Sequence, residues 1–505
     1  MTAPYRTPVG GRIDRGTRYE FTFDGRTFTG HPGDTPASAL LAHGVHNIAT
    51  SVKLGHPRGI SAAWAEDTGG LVQIEAPFPE PMLLASTVEL HDGLAARGIP
   101  GQGRLADIVD SARYDAMHVH TDVLVVGAGP AGLIAALTAA RAGARVVLVD
   151  EQSEAGGSLL GGTGRIGNAA ASEWVQDAVA ELATFPEVRH LQRTTAFGHY
   201  DDGFVLALER RTDHLGNAAP ARLPRQRVWR IRARHVLVAT GAHERPIVFA
   251  DNDLPGIMLA HSARTFLHRY GVLVGRAAVV FTTNDSAYAA AFDLADAGVR
   301  IEAVVDARER VSDGLRSECE RRGIALRAGA VVTGTRGTER ITTAFVVDFD
   351  GVNIGAGEAV SCDTLLVSGG WNPAVHLFSQ ARGVLRYDAA LGGFVPGEHL
   401  AGVSVAGAAN GMMDLAGCLR EGRDSAGAAL AELGLPFDGS APLPEASRED
   451  ASPGLVLWRV PGREQDQFVD VQRDATVADV ARAVGAGMRS VEHIKRYTTI
   501  GTAHD

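Results

Sequence analysis

The chain has 505 residues, 45% of them hydrophobic, so it is long enough for two to four packed units with well-filled cores. Its formal net charge of -11 argues against a sequence-independent grip on nucleic acid, which needs clustered Lys and Arg. The three cysteines lack CxxC or ferredoxin spacing, and the eighteen histidines include no HExxH, so neither a redox pair nor a metal site is predicted.

The first part of the chain alternates short strand-like runs with one helical stretch. The runs YEFTFDGRTFTG and LVQIE flank TPASALLAHGV, which predicts a small α+β domain within residues 1–116. Residues 77–117 have a loop-rich pattern and connect this domain to the next one. No basic tip precedes an apolar run at the start, so no secretory signal is predicted and a cytoplasmic location is expected.

From Thr121 onward strands and helices alternate, as in a parallel sheet with covered faces. VLVV, the helix after Pro130 and RVVLVD form one βαβ unit, and a second begins at Ala277. The GAGPAG sequence interrupts the uncharged window 123–140, so no membrane span is predicted there. We expect an α/β fold with two nested Rossmann-like units, the first at 117–250 and 365–435 and the second at 251–364.

The last part of the chain begins with a stretch rich in Pro, Ser and Gly at 436–452, which indicates a linker. Residues 453–505 then predict a small α+β domain. Its elements are a strand at LVLWRV (455–460), a turn at FVDVQRD and a helix at TVADVARAVGAG. Thr476, with Asp479 three residues later, is the expected cap of that helix.

A GxGxxG motif lies directly between an apolar strand and a helix, the context that makes this pattern informative. Gly127 permits a tight turn, Gly129 lets the backbone approach a pyrophosphate, and Gly132 lets the helix pack on the strand. The N–H groups after Pro130 then face the phosphates. Asp150 and Glu151 follow the second strand, where a carboxylate accepts hydrogen bonds from ribose hydroxyls and favours NAD or FAD over NADP.

The second βαβ unit has a different turn. After AAVVF the sequence is TTNDSAY, and the side chains from Asn284 to Ser286 would obstruct a pyrophosphate. We therefore expect this unit to retain its fold and to hold no dinucleotide. His243 and Glu244, after an ATG turn, could suggest acid and base work, but a polar turn beside a nucleotide is the commoner explanation.

In the order of its sequence motifs along the chain, this protein resembles the alpha subunits of heterotetrameric sarcosine oxidases and of related opine, proline and hydroxyproline dehydrogenases. The matching stretches are GGRIDR, GDTPASALLAHGV, HPRGI, TDVLVVGAGPAGL, VLVDEQ, NDSAYAAAFDLADAGV, VSGGWNP, VAGAANG and SVEHIKRYTTIG. The resemblance implies that the amino-terminal domain is a ferredoxin-like β-grasp fold. Some relatives hold a [2Fe-2S] cluster there, but no cysteine precedes Cys319, so no cluster is expected.

The resemblance also implies cofactors and partners. NAD is expected on the first Rossmann unit as a guest that carries no hydride, with FAD on a beta-type amine oxidase subunit and FMN between the two subunits. Small additional subunits are also possible partners, and the substrate is a small amine. The implied NAD positions, beyond Gly127, Gly129, Pro130 and Gly132, are Ala131, Asp150, Glu151, Gln152, Ser158, Ala408, Met413 and Leu415.

Near the chain end, cations and hydroxyls are available for a flavin phosphate at Lys495, Arg496, Thr498 and Thr499. An ordinary basic helix end explains the same residues. The family continues into a folate-binding aminomethyltransferase-like domain, whereas this sequence stops at Asp505, which leaves the amine open. No catalytic residue is predicted in this chain.

Two alternatives remain at this point. One is a stand-alone NADH-dependent oxidoreductase with FAD in the first unit and NADH in the second, against which the TTNDSAY turn counts. The other is a non-catalytic nucleotide-binding scaffold of a complex.

Overall fold

A computed structural model describes residues 3–440, 442–446 and 452–503, and the chain divides into two compact units. The first unit contains residues 1–110, 244–370 and 452–505, and the second contains 111–243 and 371–451. The predicted linker at 436–452 lies partly outside the described residues. The last two residues of the predicted carboxy-terminal domain, 504 and 505, lie outside the described residues.

The amino-terminal segment forms a five-stranded sheet in the order β2-β1-β7-β5-β6, in which β7 runs parallel to β1. Helix α1 is buried, and the Thr35 and Ser38 side chains form a capping box at its start. Both β6 and β7 fall in the stretch expected to be loop-rich. The bounds are β1 (Tyr19–Phe23), β2 (Arg26–Gly30), α1 (Pro36–Ala42), β3 (Ala49–Thr50), β4 (Pro57–Arg58), β5 (Leu71–Ala76), β6 (Glu80–Leu84) and β7 (Ala95–Gly98).

The next segment contains the first predicted βαβ unit, in which β8, α2 and β9 follow one another as expected. The long strands β8 and β15 are parallel partners over most of their length. The bounds are β8 (Tyr114–Val126), α2 (Pro130–Arg141), β9 (Val146–Val149), β10 (Arg165–Ile166), β11 (Ala169–Ala170), α3 (Ala171–Leu182), β12 (Val188–Leu191), β13 (Thr194–Tyr200), β14 (Phe204–Arg210), β15 (Gln226–Val238) and β16 (Ala242–Glu244).

The third segment contains the second parallel sheet, in the order β17-β24-β18-β19-β20, and an antiparallel sheet of β21, β22 and β23. The bounds are β17 (Ile257–Leu259), α4 (Ala260–Tyr270), β18 (Ala277–Thr282), α5 (Ser286–Asp296), β19 (Arg300–Asp306), α6 (Asp313–Arg322), β20 (Leu326–Ala328), β21 (Ala330–Gly337), β22 (Ile341–Phe349), β23 (Ile354–Ser361) and β24 (Thr364–Ser368).

The chain then returns to the sheet of the second unit, where β28 pairs in parallel with β15. The bounds there are β25 (Trp371–Pro373), α7 (His376–Gln380), β26 (Leu385–Asp388), β27 (Gly393–Pro396), β28 (Val403–Val405) and α8 (Leu415–Glu432). The last elements belong to the first unit and are β29 (Phe468–Asp470), β30 (Ala475–Thr476), α9 (Val477–Gly485) and α10 (Val491–Thr498). The capping box of Thr476 and Asp479 at the start of α9 is confirmed.

The strand predicted at 455–460 is wrong. This stretch forms an isolated parallel bridge instead of a strand: Val248 N–H donates to the Trp458 carbonyl, and Val460 N–H donates to the Val248 carbonyl. Leu455 N–H donates to the Thr283 carbonyl. Its apolar side chains pack on the core that contains Phe249 and Phe281. Burial of a short apolar run therefore produced the alternating pattern without a strand.

One core of the first unit joins the amino-terminal sheet to the second parallel sheet, since Phe21, Leu40, Phe266 and Tyr288 belong to the same buried cluster. A separate core in the second unit packs α2 and α8 on the strands around Val125. The predicted α/β architecture with two Rossmann-like folds and a ferredoxin-like amino-terminal domain is confirmed. In the described ranges, no helix has the length and apolarity needed to cross a bilayer.

Candidate functional site

The turn between β8 and α2 places two glycines where no side chain fits. Gly127 has a φ of +103°, and a Cβ on it would lie 2.3 Å from the carbonyl oxygen of Ala239. A Cβ on Gly132 would lie 1.8 Å from the carbonyl oxygen of Gly127. Tight turning and close packing of helix on strand therefore require glycine here, as the motif predicts.

Gly129 is a glycine for a different reason. It is the N-cap of α2, and a Cβ built on it would have only the Cα of Gly157 nearby, at 4.0 Å. No side chain caps the helix, no acidic residue lies in its first turn, and Pro130 at the first position needs no partner for an N–H. The open helix N-terminus with its free N–H groups and positive dipole end fits a pyrophosphate.

Asp150 follows β9 and faces the same turn. Its carboxylate accepts hydrogen bonds from the N–H of Ala128 at 2.6 Å and from the N–H of Gln152 at 2.8 Å, one on each oxygen. These two N–H groups hold the carboxylate beside the glycine turn, where the motif expects the acid that binds ribose. Arg210, which the sequence did not single out, donates to the carbonyl of Glu151 at 2.9 Å and fixes this loop.

Two further segments reach the glycine turn. Gly156 N–H donates to the Ala128 carbonyl at 2.8 Å, which places Ser158 in the adjoining 3-10 turn Gly157–Gly161. A Cβ on Gly407 would lie 2.8 Å from the Cβ of Ala131, so the return segment with Ala408 lies against the start of α2. The structure thus brings together these residues, which are far apart in sequence.

Helix α8 packs on α2 through another glycine. A Cβ on Gly422 would lie 2.2 Å from the carbonyl oxygen of Ala131. Met413, which is 38% exposed, and Leu415 lie at the beginning of α8, where the Asp414 side chain accepts the Gly417 N–H at 2.8 Å. Met413 and Leu415 therefore lie between two contacts with the start of α2, one made by Gly407 and the other by Gly422.

The predicted flavin-phosphate residues lie at the end of α10, in the first unit. Arg496 forms an exposed ion pair with Glu492, and the Thr498 hydroxyl donates to the Ile494 carbonyl at 2.7 Å, so both groups have partners within the helix. Thr499 ends the helix, and its Oγ1 lies 3.3 Å from Lys53 Nζ. The chain has only two lysines: Lys495 lies in α10, and Lys53 contacts Thr499 at the end of the same helix.

The carboxyl edge of the second parallel sheet is closed by the chain itself. Arg308 lies 2.7 Å from both Asp285 and the buried Asp306, the latter at the end of β19. Asp285 also accepts the Ser452 N–H at 2.7 Å, and Leu455 N–H donates to the Thr283 carbonyl at 2.9 Å. An acidic side chain therefore precedes α5, and residues 452–455 lie along this edge.

Glu244 is a buried acid whose environment the sequence did not predict. Its Oε2 accepts the His261 N–H at the start of α4 at 2.8 Å, while its Oε1 has no partner. Burial raises the pKa of Glu244 to about 8. The side chain is therefore mostly protonated at neutral pH, which a local sequence pattern cannot reveal.

The three cysteines are buried and unpaired. Burial raises the pKa of the Cys418 thiol to about 12, and its Sγ donates to the Met412 carbonyl. These thiols are structural residues and lack the low pKa of a reactive thiol. No group of three or more metal-ligating side chains is present in residues 3–440, 442–446 and 452–503.

Comparison with known families assigns three regions of the chain. Residues 121–392 match the family described as pyridine nucleotide-disulphide oxidoreductase, which is more than half of the sequence. Residues 16–99 match the 2Fe-2S iron-sulfur cluster binding domain, and residues 464–505 match the sarcosine oxidase A3 domain.

Among individual proteins, the chain is similar to sarcosine oxidase subunit alpha of Corynebacterium sp. strain P-1, with 45% identity over 99% of this chain and 53% of the relative. The subunit of the same name from Rhizobium meliloti strain 1021 is 39% identical over 99% of this chain and 55% of the relative. The chain spans about half the length of these curated relatives.

The resemblance to sarcosine oxidase alpha subunits is therefore confirmed. The fold is similar to that of L-proline dehydrogenase from P. horikoshii, with a TM-score of 0.71 and 21% identity over 98% of this chain and 90% of that one. On the family match that covers its two Rossmann-like folds, the chain belongs to the pyridine nucleotide-disulphide oxidoreductase family.

Proposed function

We propose that this chain is the alpha-type subunit of a multimeric flavin-dependent amine oxidase or dehydrogenase. In this complex a secondary amine or N-methyl amino acid is oxidised on the FAD of a partner subunit, and electrons pass to FMN at the subunit interface. The observation that carries the proposal is the similarity to sarcosine oxidase subunit alpha along 99% of the chain.

In the proposal, the first Rossmann unit holds NAD as a structural guest. The first turn of α2 binds the pyrophosphate, Gly129 leaves room for it, and the Asp150 carboxylate accepts the ribose hydroxyls. Ser158 and Ala408 line the same turn from the two adjoining segments. These residues bind and orient a nucleotide, and none of them is positioned as an acid or base.

The closed edge of the second sheet supports a non-catalytic nucleotide. Passing hydride from a nicotinamide to a flavin within one chain requires two dinucleotide pockets, and Arg308, Asp285 and residues 452–455 occupy the second one. The stand-alone NADH-dependent oxidoreductase therefore has less support than the alpha-type subunit.

FMN, when bound, supplies a one- or two-electron carrier between the amine site and the final acceptor. We propose that its phosphate is held near Lys495 and Thr499, with Arg496 and Thr498 beside them. Lys53 lies within 3.3 Å of the Thr499 hydroxyl and adds a second cation to the same place.

The experiment that tests the nucleotide proposal is identification of what the purified chain releases on denaturation. We expect about one NAD per chain. Release of FAD together with NADH oxidation by the chain would overturn the proposal in favour of the stand-alone oxidoreductase.

The variant Gly129→Asp makes this test specific. The φ of -72° at Gly129 suits any residue, and aspartate in place of glycine at an N-cap stabilises a helix by a few tenths of a kcal/mol, so the fold is retained. Its carboxylate would occupy the pyrophosphate position, and we expect NAD content to fall at least tenfold. Gly164→Ala is the matched control, because nothing lies within 4 Å of a Cβ there.

A further inference from the structure

Three side chains of the second unit form a continuous hydrogen-bonded line. His235 lies near the end of strand β15, and Ser404 lies on the neighbouring parallel strand β28. His235 Nε2 lies 3.0 Å from Ser404 Oγ, and His235 Nδ1 lies 3.1 Å from Glu432 Oε2. The order is therefore serine, histidine, carboxylate, with both distances within hydrogen-bonding range.

The chemistry of the three groups fixes the direction of the two hydrogen bonds. An ionised carboxylate only accepts, so Nδ1 of His235 must carry a proton and donate it to Glu432. A neutral imidazole then has a lone pair at Nε2, and the Ser404 hydroxyl donates to it. This is the tautomer in which an imidazole withdraws a proton from a serine hydroxyl.

The electrostatics keep His235 in that neutral form. Its side chain is 2% exposed, and burial lowers its pKa, a shift that His399 adds to and that Glu432 opposes. Glu432 is the last residue of α8, and two imidazoles lie beside its carboxylate, His235 at 3.1 Å and His399 at 3.5 Å.

A cavity of about 270 Å³ opens beside this line and lies wholly within the second unit. Its walls include the apolar side chains of Phe378, Leu400 and Val403, and Ser404, His235 and Glu432 all line it. Asn410 also lines it, and its side-chain amide makes only long contacts of 3.4 Å to Glu421. Glu398 and Glu432 are the carboxylates at its wall. The space suits a short acyl group and not a large ligand.

We propose that Ser404 is a nucleophile activated by His235 and Glu432, and that this cavity accepts small esters with short apolar acyl groups. The Ser404 Oγ forms a bond to the ester carbonyl carbon while its proton moves to His235 Nε2. The carbon–oxygen bond to the alcohol then breaks, and the alcohol leaves with that proton. Water cleaves the acyl-serine by the same route, and the side-chain amide of Asn410, which lines the cavity, is the donor for the carbonyl oxygen in this proposal.

The proposal is tested by treating the full chain with diisopropyl fluorophosphate and mapping the modified residue by mass spectrometry. In this reaction the serine oxygen–phosphorus bond forms, the phosphorus–fluorine bond breaks, and the serine proton leaves with fluoride. We expect one label per chain, on Ser404. Ser425 lines the same cavity without a histidine partner and should remain unlabelled in the same digest.

Variants separate activation from simple exposure. Ser404→Ala should abolish labelling, and Glu432→Gln should slow it about 100-fold, because the amide no longer holds Nδ1 as a donor to an anion. Glu432 is 41% exposed, so this variant should fold even if His235→Ala does not. Ser379→Ala, an exposed serine on α7, should label at the wild-type rate.

The hydrolysis of p-nitrophenyl acetate by wild type and Ser404→Ala provides the second readout, and a difference of at least tenfold is expected. Absence of label on Ser404, or labelling that Glu432→Gln leaves unchanged, would overturn the proposal. Ser404 and Glu432 would then be only the hydrogen-bond partners of a buried structural histidine. Neither result bears on NAD release or on the proposed subunit function, which depends on other residues.

Discussion

At the scale of single residues, burial decides the chemistry of the acids more than their sequence neighbours do. Asp150 is partly buried, and each of its carboxylate oxygens accepts one backbone N–H. Glu244 accepts only one backbone N–H, and its second oxygen has no partner. Two acids near the ends of strands therefore lie in different environments, and burial raises the pKa of Glu244 to about 8.

Glu244 makes the stability of the protein depend on pH. Its pKa is about 8 in the folded state and about 4.5 when exposed, so between these values the folded chain holds a proton that the unfolded chain has released. The free energy of unfolding therefore falls as pH rises through this window, by about 1.4 kcal/mol per pH unit. Between pH 5 and pH 8, the free energy of unfolding of Glu244→Gln should rise by roughly 3 to 4 kcal/mol relative to that of the wild type.

Urea unfolding of both proteins at the two pH values measures this difference. Glu320→Gln, at an exposed position on α6, is the control and should follow the wild-type pH dependence. Parallel pH curves for wild type and Glu244→Gln would show that Glu244 is ionised in the folded protein.

The glycine turn could be predicted from the sequence because its motif is local, although the contacts that require its glycines are only partly so. Gly132 must be glycine because of Gly127, five positions earlier, whereas a Cβ on Gly127 would clash with Ala239, 112 positions later. His235 and Ser404 are 169 positions apart, and Arg308 reaches residue 453. No local pattern carries such pairs, because they exist only after parallel strands and a returning segment have been brought together.

At the scale of secondary-structure elements, α2 illustrates how one helix combines packing and binding. Its first turn leaves Gly129 open for a ligand, while Gly132 one turn later touches the strand beneath. The sequence predicted this helix and its turn, yet it predicted a strand at 455–460 that is absent. An apolar alternation reports burial, and a strand also needs a partner with free backbone groups.

The same substitution should therefore have opposite effects in two helices. Gly132→Ala places a Cβ 1.8 Å from the Gly127 carbonyl oxygen, so helix and strand must separate, and we expect a loss of at least 2 kcal/mol. Gly314→Ala in α6 has nothing within 4 Å and should gain roughly 0.5 to 1 kcal/mol from helix propensity.

Thermal unfolding and circular dichroism of the two variants measure these changes. Retention of wild-type stability and NAD by Gly132→Ala would mean that α2 can shift on the sheet without cost, contrary to the packing argument.

At the scale of the whole molecule, the first unit is assembled from three stretches of chain that are far apart in sequence. Arg58 connects all three, since its guanidinium lies 2.6 Å from Asp253 and 2.6 Å from Asp474. Asp474 in turn accepts the N–H groups of Lys53 and Leu54 at 2.7 and 3.0 Å. Sequence patterns divide this unit at its loops, whereas buried charge pairs and a shared core unite it.

Arg58 should consequently be one of the most sensitive positions of the first unit. Its side chain and those of Asp253 and Asp474 are at most 4% exposed, so Arg58→Met would remove the guanidinium that two buried carboxylates share and leave Asp253 only its contact with His56. Removing one partner of such a group typically costs about 3 to 5 kcal/mol. Arg97→Met removes the exposed pair with Glu75 and should change stability by less than about 1 kcal/mol.

A double variant identifies the origin of the loss. If the uncompensated carboxylates are responsible, adding Asp253→Asn to Arg58→Met removes one buried charge and restores part of the stability measured by urea unfolding. If the loss came from the missing packing of the arginine stem on Phe468, which lies 5.7 Å from the guanidinium carbon, the second substitution would restore nothing. Recovery in the double variant would therefore show that charge compensation among three distant segments holds the first unit together.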